Sequence, residues 1–327
     1  MSVMRFSCWL WVLLATATCE DRKSQPTPPV KKSAPPQQCQ PGERMCVRDE
    51  VVQCNADGSL GATLESCKGQ CRTGACVDTC ALQDVELIYV ADDKSRLYSF
   101  DPRKPPADPF HPIGTIKCND SSSLNSMAVD RSGIAWLGYH SGAVFRASII
   151  DAHCTTPGSV PRGAPTTFGM GFATDGPKAT TEKLFVAGGR TTKSLAVLET
   201  SATPLAWTRV ASFDAARDHP ELTGTGDGRL FGYFPSPNLG VIEELDKTTA
   251  KAIGERWVLE GPGKRVTAYA FAHWGGVFYV FFTVDGSSSV HAVHMKTGKQ
   301  ERLMTNLPMG IVGAGVSTCA PLLERVP

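Results

Sequence analysis

From Leu87 onward the chain alternates bulky apolar runs with short polar turns. Bulky runs begin at Leu87, Ile134, Leu184, Leu230 and Val277, at intervals of 47, 50, 46 and 47 residues. Each passes through a polar turn into a second apolar run, as in LIYVADDKSRLYSFDP from Leu87 to Pro102. Runs this short, rich in β-branched and aromatic residues and bounded by Gly, Asp and Ser, predict strands. A small-residue run precedes the bulky one in later units: Ser126 to Val129, Gly169 to Thr174, Leu222 to Gly226 and Thr267 to Ala272. A more irregular run closes each unit, as at Pro112 to Lys117, Trp207 to Phe213, Arg256 to Glu260 and Glu301 to Thr305.

Four strands in a fixed period of this size predict propeller blades. The small first strand fits the crowded axis of a ring. Leu87 opens on a second-type strand, and the missing first strand is supplied by GIVGAGVS, Gly310 to Ser317, at the far end. The last strand is therefore expected to pair with Leu87 to Ala91 and close the ring, removing open sheet edges. Val312 is expected at a packed position of that strand. The fold class is all-β: a five-bladed β-propeller preceded by a small disulfide-rich module. A two-domain β-sandwich is the rival, and the near-constant period and the complementary ends weigh against it.

The first 79 residues lack this period. Arg5 and the apolar stretch Phe6 to Ala17 have the form of a signal peptide, too short to span a bilayer. Cleavage after Ala15-Thr16-Ala17 gives an ordinary exported chain. The alternative is that Cys19 is the lipidated first residue of the mature chain, since the stretch before it resembles a bacterial lipobox. Lipidation leaves an even ten cysteines of the twelve for disulfides, with Cys8 removed and Cys19 acylated. Glu20 to Gln38 is Pro- and Lys-rich without apolar periodicity, the composition of a solvated tether. The expected organisation is a signal peptide at 1–18, a tether at 19–38, a cysteine module at 39–79 and the propeller at 80–327.

Cys39, Cys46, Cys54, Cys67, Cys71 and Cys76 lie in a segment with too few apolar residues for a core, so disulfides must hold it. A zinc site on Cys67 and Cys71 is rejected, because no second pair of suitable spacing and no His accompanies them. The pattern of Cys39, Pro41, Gly42, Arg44, Cys46, Cys54, Asp57, Gly58, Cys67, Cys71 and Cys76 resembles small Cys-rich modules of secreted myxobacterial proteins, which implies an exported surface protein. Six cysteines leave their connectivity open. In the ring, Cys80 and Cys319 fall at one loop of the first blade and are expected to bridge, and Cys118 and Cys154 are plausible partners. The blades resemble those of NHL-type and gluconolactonase-type propellers, with Asp130-Arg131-Ser132-Gly133 as an Asp-x-x-Gly turn. That likeness implies a fold and carries no function by itself.

Charge and motifs narrow the function further. Lys and Arg number 33 against 32 Asp and Glu, so there is no basic footprint for nucleic acid. Nucleophile elbows, metalloprotease motifs, P-loops and EF-hand loops are absent. No cofactor or metal is expected. His291 and His294 sit at an odd offset on a strand and point to opposite faces. Trp136, Tyr139, Phe231, Tyr233, Phe278 and Tyr279 are expected to pack between blades. The turns between second and third strands share one end of the ring with the links between blades. That end is expected to carry Asp92, Asp93, His140, Arg190, Arg217, Asp218, His219, Lys264 and Arg265 as a binding face. The expected role is a surface-anchored scaffold for a protein or glycan partner, in the cell envelope, touching the membrane only through its lipid. The alternative is an extracellular metal-dependent hydrolase or lactonase, for which the inner strands offer Asn125, Glu221 and His273.

Overall fold

A computed structural model describes residues 39–47, 50–66, 70–72, 74–77, 80, 85–155, 167–177, 179–188, 193–202, 204–213, 219–236 and 238–323. The signal peptide, Cys19, the tether, Cys67, Arg190, Arg217 and Asp218 lie outside them.

In the N-terminal module, β1 (Arg44–Val47), β2 (Glu50–Cys54) and β3 (Leu60–Ser66) form one antiparallel sheet, and β4 (Gln70–Arg72) pairs with β5 (Ala75–Val77). Val51, Val52 and Cys54 are its buried apolar side chains. So small a core stabilises little, and disulfides Cys39–Cys54 and Cys46–Cys71 tie the sheet and hairpin together. Cys71 is thus spent in a disulfide and is no zinc ligand. Cys76 is also disulfide-bonded.

Among the described residues from Val85 onward, the strands form five four-stranded antiparallel sheets. Three strands of the first blade come early: β6 (Ile88–Asp92), β7 (Arg96–Phe100) and β8 (Phe110–Thr115). Blade two is β9 (Leu124–Val129), β10 (Ile134–Tyr139), β11 (Val144–Ser148) and a two-residue β12 (Cys154–Thr155). Blade three is β13 (Phe168–Thr174), β14 (Glu182–Gly188), β15 (Ser194–Glu199) and β16 (Ala206–Ser212). Blade four is β17 (Glu221–Gly224), β18 (Leu230–Phe234), β19 (Leu239–Leu245) and β20 (Ala252–Glu260). Blade five is β21 (Ala268–Trp274), β22 (Val277–Val284), β23 (Ser287–His294) and β24 (Gln300–Leu307).

The final strand, β25 (Ile311–Val316), returns to blade one and pairs antiparallel with β6, setting Ala314 opposite Val90 and Gly315 opposite Tyr89. The first and last strands of the ring therefore share one sheet. Gly315 shows why this strand is small. A Cβ there would lie 2.9 Å from the backbone of Ala128 on the neighbouring blade. Val312 is half-buried: it packs against the cluster between blades one and two, as expected, and also borders the axial opening, at a register shift between Ile311 and Gly313.

Strand alternation explains how the blades hold together. Along the second strand of blade one, Ile88 and Val90 pack toward blade five, while Leu87, Tyr89 and Ala91 pack toward blade two. Each sheet is apolar on both faces, and one hydrophobic cluster fills each of the five junctions among the described residues. Aromatic pairs cross these junctions: Trp136 to Phe172 at 6.4 Å, Phe231 to Phe278 at 4.9 Å and Tyr279 to Phe100 at 5.6 Å. Tyr139 meets Phe145 of its own blade, edge-on at 5.2 Å, within the cluster between blades one and two. Two further disulfides lock the ring: Cys80–Cys319, spanning 239 residues between its ends, and Cys118–Cys154, joining blades one and two.

Candidate functional site

The end of the ring bearing the turns between second and third strands has two neighbouring openings. The first is the mouth of the axis, about 350 Å³, bordered by Asp93, Asn125, His140, Glu221, Tyr269 and Thr283. Inner strands begin here, so their first side chains converge on it. Glu221, the first residue of β17, is buried, and its carboxyl accepts a 2.8 Å hydrogen bond from Ser126 Oγ of blade two. Blades two and four are not neighbours, so this bond spans the axis. Burial pushes the Glu221 pKa well above the usual carboxylate range, and the Ser126 bond only partly offsets it. Its carboxyl thus lies beneath the mouth, held by the Ser126 bond. Asn125 is occupied differently: its amide nitrogen donates to the Phe168 carbonyl at 2.9 Å.

The second opening lies between blades four and five and holds about 730 Å³. Tyr233, Tyr269 and Phe282 form its floor, and His219, Lys264 and Arg265 stand around it. Tyr233 packs edge-on to Tyr269 at 5.9 Å and to Phe282 at 6.0 Å. Its ring fits only because position 240 is glycine: a Cβ there would sit 2.3 Å from the tyrosine oxygen. Tyr269 borders both openings, and its hydroxyl donates to the His219 carbonyl. His219 has φ of 46°, an unusual backbone for a non-glycine residue. The Tyr269 bond helps hold that turn.

The sequence-expected face is thus divided. Asp93 and His140 are exposed at the mouth, and His219, Lys264 and Arg265 belong to the groove. Asp92 does not belong to a binding face. It is fully buried, its Oδ1 accepts the amides of Lys94 and Arg96, and its Oδ2 takes the Arg96 guanidinium. It caps its turn because a buried carboxylate must be paired. The inner-strand trio also separates. Glu221 opens its strand, whereas His273 lies near the far end of β21, buried against Phe231 at 6.1 Å. Burial depresses the His273 pKa to about 4. No group of three or more His, Cys, Asp or Glu poised for a metal occurs among the described residues. His291 is buried beside Ser289, while His294 lies near Glu301.

Tyr269 and Phe282 were not legible as site residues, and Tyr233 reads from sequence only as a packing side chain. A signal was present in the residues beside them, Pro235, Ser236 and Asn238 on one side and Gly261, Pro262 and Gly263 on the other, which border the groove.

No family model and no curated protein matches this chain. Solved propeller structures resemble it distantly. TolB from Acinetobacter baumannii aligns over 67% of this chain and 52% of its own, at 11% identity and TM-score 0.40. BamB from Moraxella catarrhalis aligns over 66% and 57%, at 11% identity and TM-score 0.34. A streptogramin B lyase aligns over 79% and 77%, at 14% identity and TM-score 0.34. Likeness at this level assigns no activity.

Proposed function

We propose that the chain is an exported, lipid-anchored binding propeller that presents this end of the ring to a protein or glycan partner. The observation that carries the reading is the pair of adjoining openings, with an aromatic floor and exposed cations where the structural core should have little reason to place them. The disulfides fit an oxidising, extracytoplasmic setting. The signal-like N-terminus, Cys19 and the Pro-rich tether support an anchor holding the ring away from a membrane.

The test uses the Cys19→Ala chain, which is expected to leave the membrane fraction and remain folded. The released protein is then tested on glycan and peptide arrays, with Asp93→Lys and Lys264→Glu variants beside it. Selective binding that these variants reduce supports the reading, and binding indifferent to both sinks it. Stoichiometric calcium or zinc in the purified chain would favour the hydrolase alternative instead.

A further inference from the structure

We infer that the groove between blades four and five recognises an acidic sugar, a pyranose ring bearing a carboxylate, within a glycan. This rests on the binding role proposed for this end and names the ligand class.

Charge gives the first argument. Lys264 and Arg265 are exposed, and neither forms an ion pair with a described residue. Together with His219 they give the groove three basic side chains, and none of its described lining residues is acidic. Neighbouring like charges repel, and a ligand carboxylate between them relieves that repulsion. The Arg265 fork matches a carboxylate in two parallel hydrogen bonds.

The floor gives the second. Tyr233 is 1% exposed and borders the groove, and its hydroxyl has no hydrogen-bond partner among the described residues. Burial alone pushes its pKa up, so the phenol stays neutral and can donate or accept. The Tyr233 oxygen is not sealed from solvent, so it is open to a group that enters the groove. A sugar hydroxyl, both donor and acceptor, can pair with it. Ser236 and Asn238, also on the lining, offer a hydroxyl and an amide to the other hydroxyls of the same ring. The apolar faces of Tyr269 and Phe282 suit the C–H face of a pyranose.

Shape decides between a sugar and an acidic peptide. Tyr233 lies on β18 and Phe282 on β22, both paired with strands on each side, so neither offers a free edge to an extended peptide. The opening, about 730 Å³, is of a size for a compact ligand of one to a few rings.

The experiment measures affinity of the full mature chain for uronic-acid oligosaccharides, for the same oligosaccharides with carboxyls reduced to alcohols, and for acidic peptides. The expected result is binding of the uronates that falls at least about tenfold on carboxyl reduction. The double change Lys264→Met and Arg265→Met should bring uronate affinity down to that of the reduced sugar. Tyr233→Phe should weaken binding several-fold while the melting temperature stays level or rises, which a purely structural hydroxyl would not do. Equal affinity for carboxylated and reduced sugars overturns the inference, as does indifference to the double change. Binding of acidic peptides but no sugar overturns it while leaving the broader binding role standing. No binding of either class by the unmodified chain also overturns it, and a protein partner lost on Asp93→Lys would then still support the broader role.

Discussion

Hydrogen bonds join the blades at both ends of the ring, but a disulfide is added at the end where first and second strands turn, and the other end holds the axial mouth and the groove. The disulfide-bonded end carries Cys80–Cys319. Beside it, the Arg131 amide of blade two donates to Glu182 Oε1 of blade three at 2.7 Å, and Thr318 Oγ1 donates to Glu182 Oε2 at 2.6 Å. Lys247 of blade four reaches the Thr174 carbonyl of blade three at 2.6 Å. Trp274 of blade five reaches the Glu86 carbonyl at 2.7 Å. Even the hollow of about 450 Å³ there is walled by bonded groups, among them Cys80, Cys319, Arg131 and Thr318. The open end keeps exposed cations, a phenol without a described partner and the buried carboxyl of Glu221. The covalent staple of the ring sits at one end, and the exposed cations Lys264 and Arg265 sit at the other.

The largest break in this comparison is loss of closure. Truncation after Pro308 removes β25, exposing the β6 edge and the apolar faces packed against blades five and two. The whole ring should lose its cooperative unfolding transition, not merely fray at one end. Gly315→Val tests the same contact without truncation, because its side chain would collide with the Ala128 backbone. We expect several kcal/mol of destabilisation. An unchanged thermal midpoint in both would mean that closure does not hold the ring.

Next comes the staple. Changing Cys80 and Cys319 to Ala together frees a loop of 239 residues in the unfolded chain, worth on the order of 5 kcal/mol in the chain-entropy model. Thermal denaturation should show a midpoint lower by roughly 10 °C or more. Ligand affinity at the open end should not change. If affinity falls with stability, the two ends are not separable.

A smaller effect concerns pH. Burial raises the Glu182 pKa from the ordinary 4.5 to about 7, against the bonds from Thr318 and the Arg131 amide. A carboxyl with a raised native pKa stays protonated in the fold after the unfolded chain has released its proton. Its stabilisation is complete below the unfolded pKa and is lost as pH rises through the native one. Between about pH 4.5 and 7 the folded ring should therefore lose on the order of 3 kcal/mol through this group, then level off. Buried His291, with its pKa depressed to about 4, slopes the other way between pH 4 and 6.5. The clean readout is thus the stability of Glu182→Gln minus that of the unmodified chain. It should climb across the Glu182 window, and a flat difference from pH 4 to 8 would refute the assignment.

The fold was more legible in the sequence than the site, for a physical reason. Blade strands must pack on two neighbours at once, so their apolar pattern is dense and periodic, and the small residues of β25 marked it as an inner strand before any partner was visible. Charged turn residues carry no such constraint. Asp92 and Asp93 stand side by side in sequence, yet one is a buried cap and the other borders the mouth. The alternation of the strand, which ends at Asp92, turns one inward and leaves the other on the turn. Tyr233 was misleading in the opposite sense: its ring does pack between blades, and only its hydroxyl faces an opening, a division within one side chain that a residue pattern does not encode.

The smallest expected effect sharpens the comparison most. Lys264→Met with Arg265→Met should leave stability within about 0.5 kcal/mol of the unmodified chain, because both side chains are exposed and neither is tied to a described ion partner. Loss of the repulsion between them could shift it slightly upward, more visibly at low salt. Thr318→Val at the bonded end is nearly isosteric yet should cost about 1 kcal/mol, because Glu182 Oε2 would lose its donor in a partly buried setting. Chemical denaturation of the two variants side by side gives the difference directly. If both cost the same, the cations are part of the scaffold. If the tie at Thr318 costs and the cations do not, the groove keeps its charges for something other than the fold, and a ligand bearing the opposite charge is what would use them.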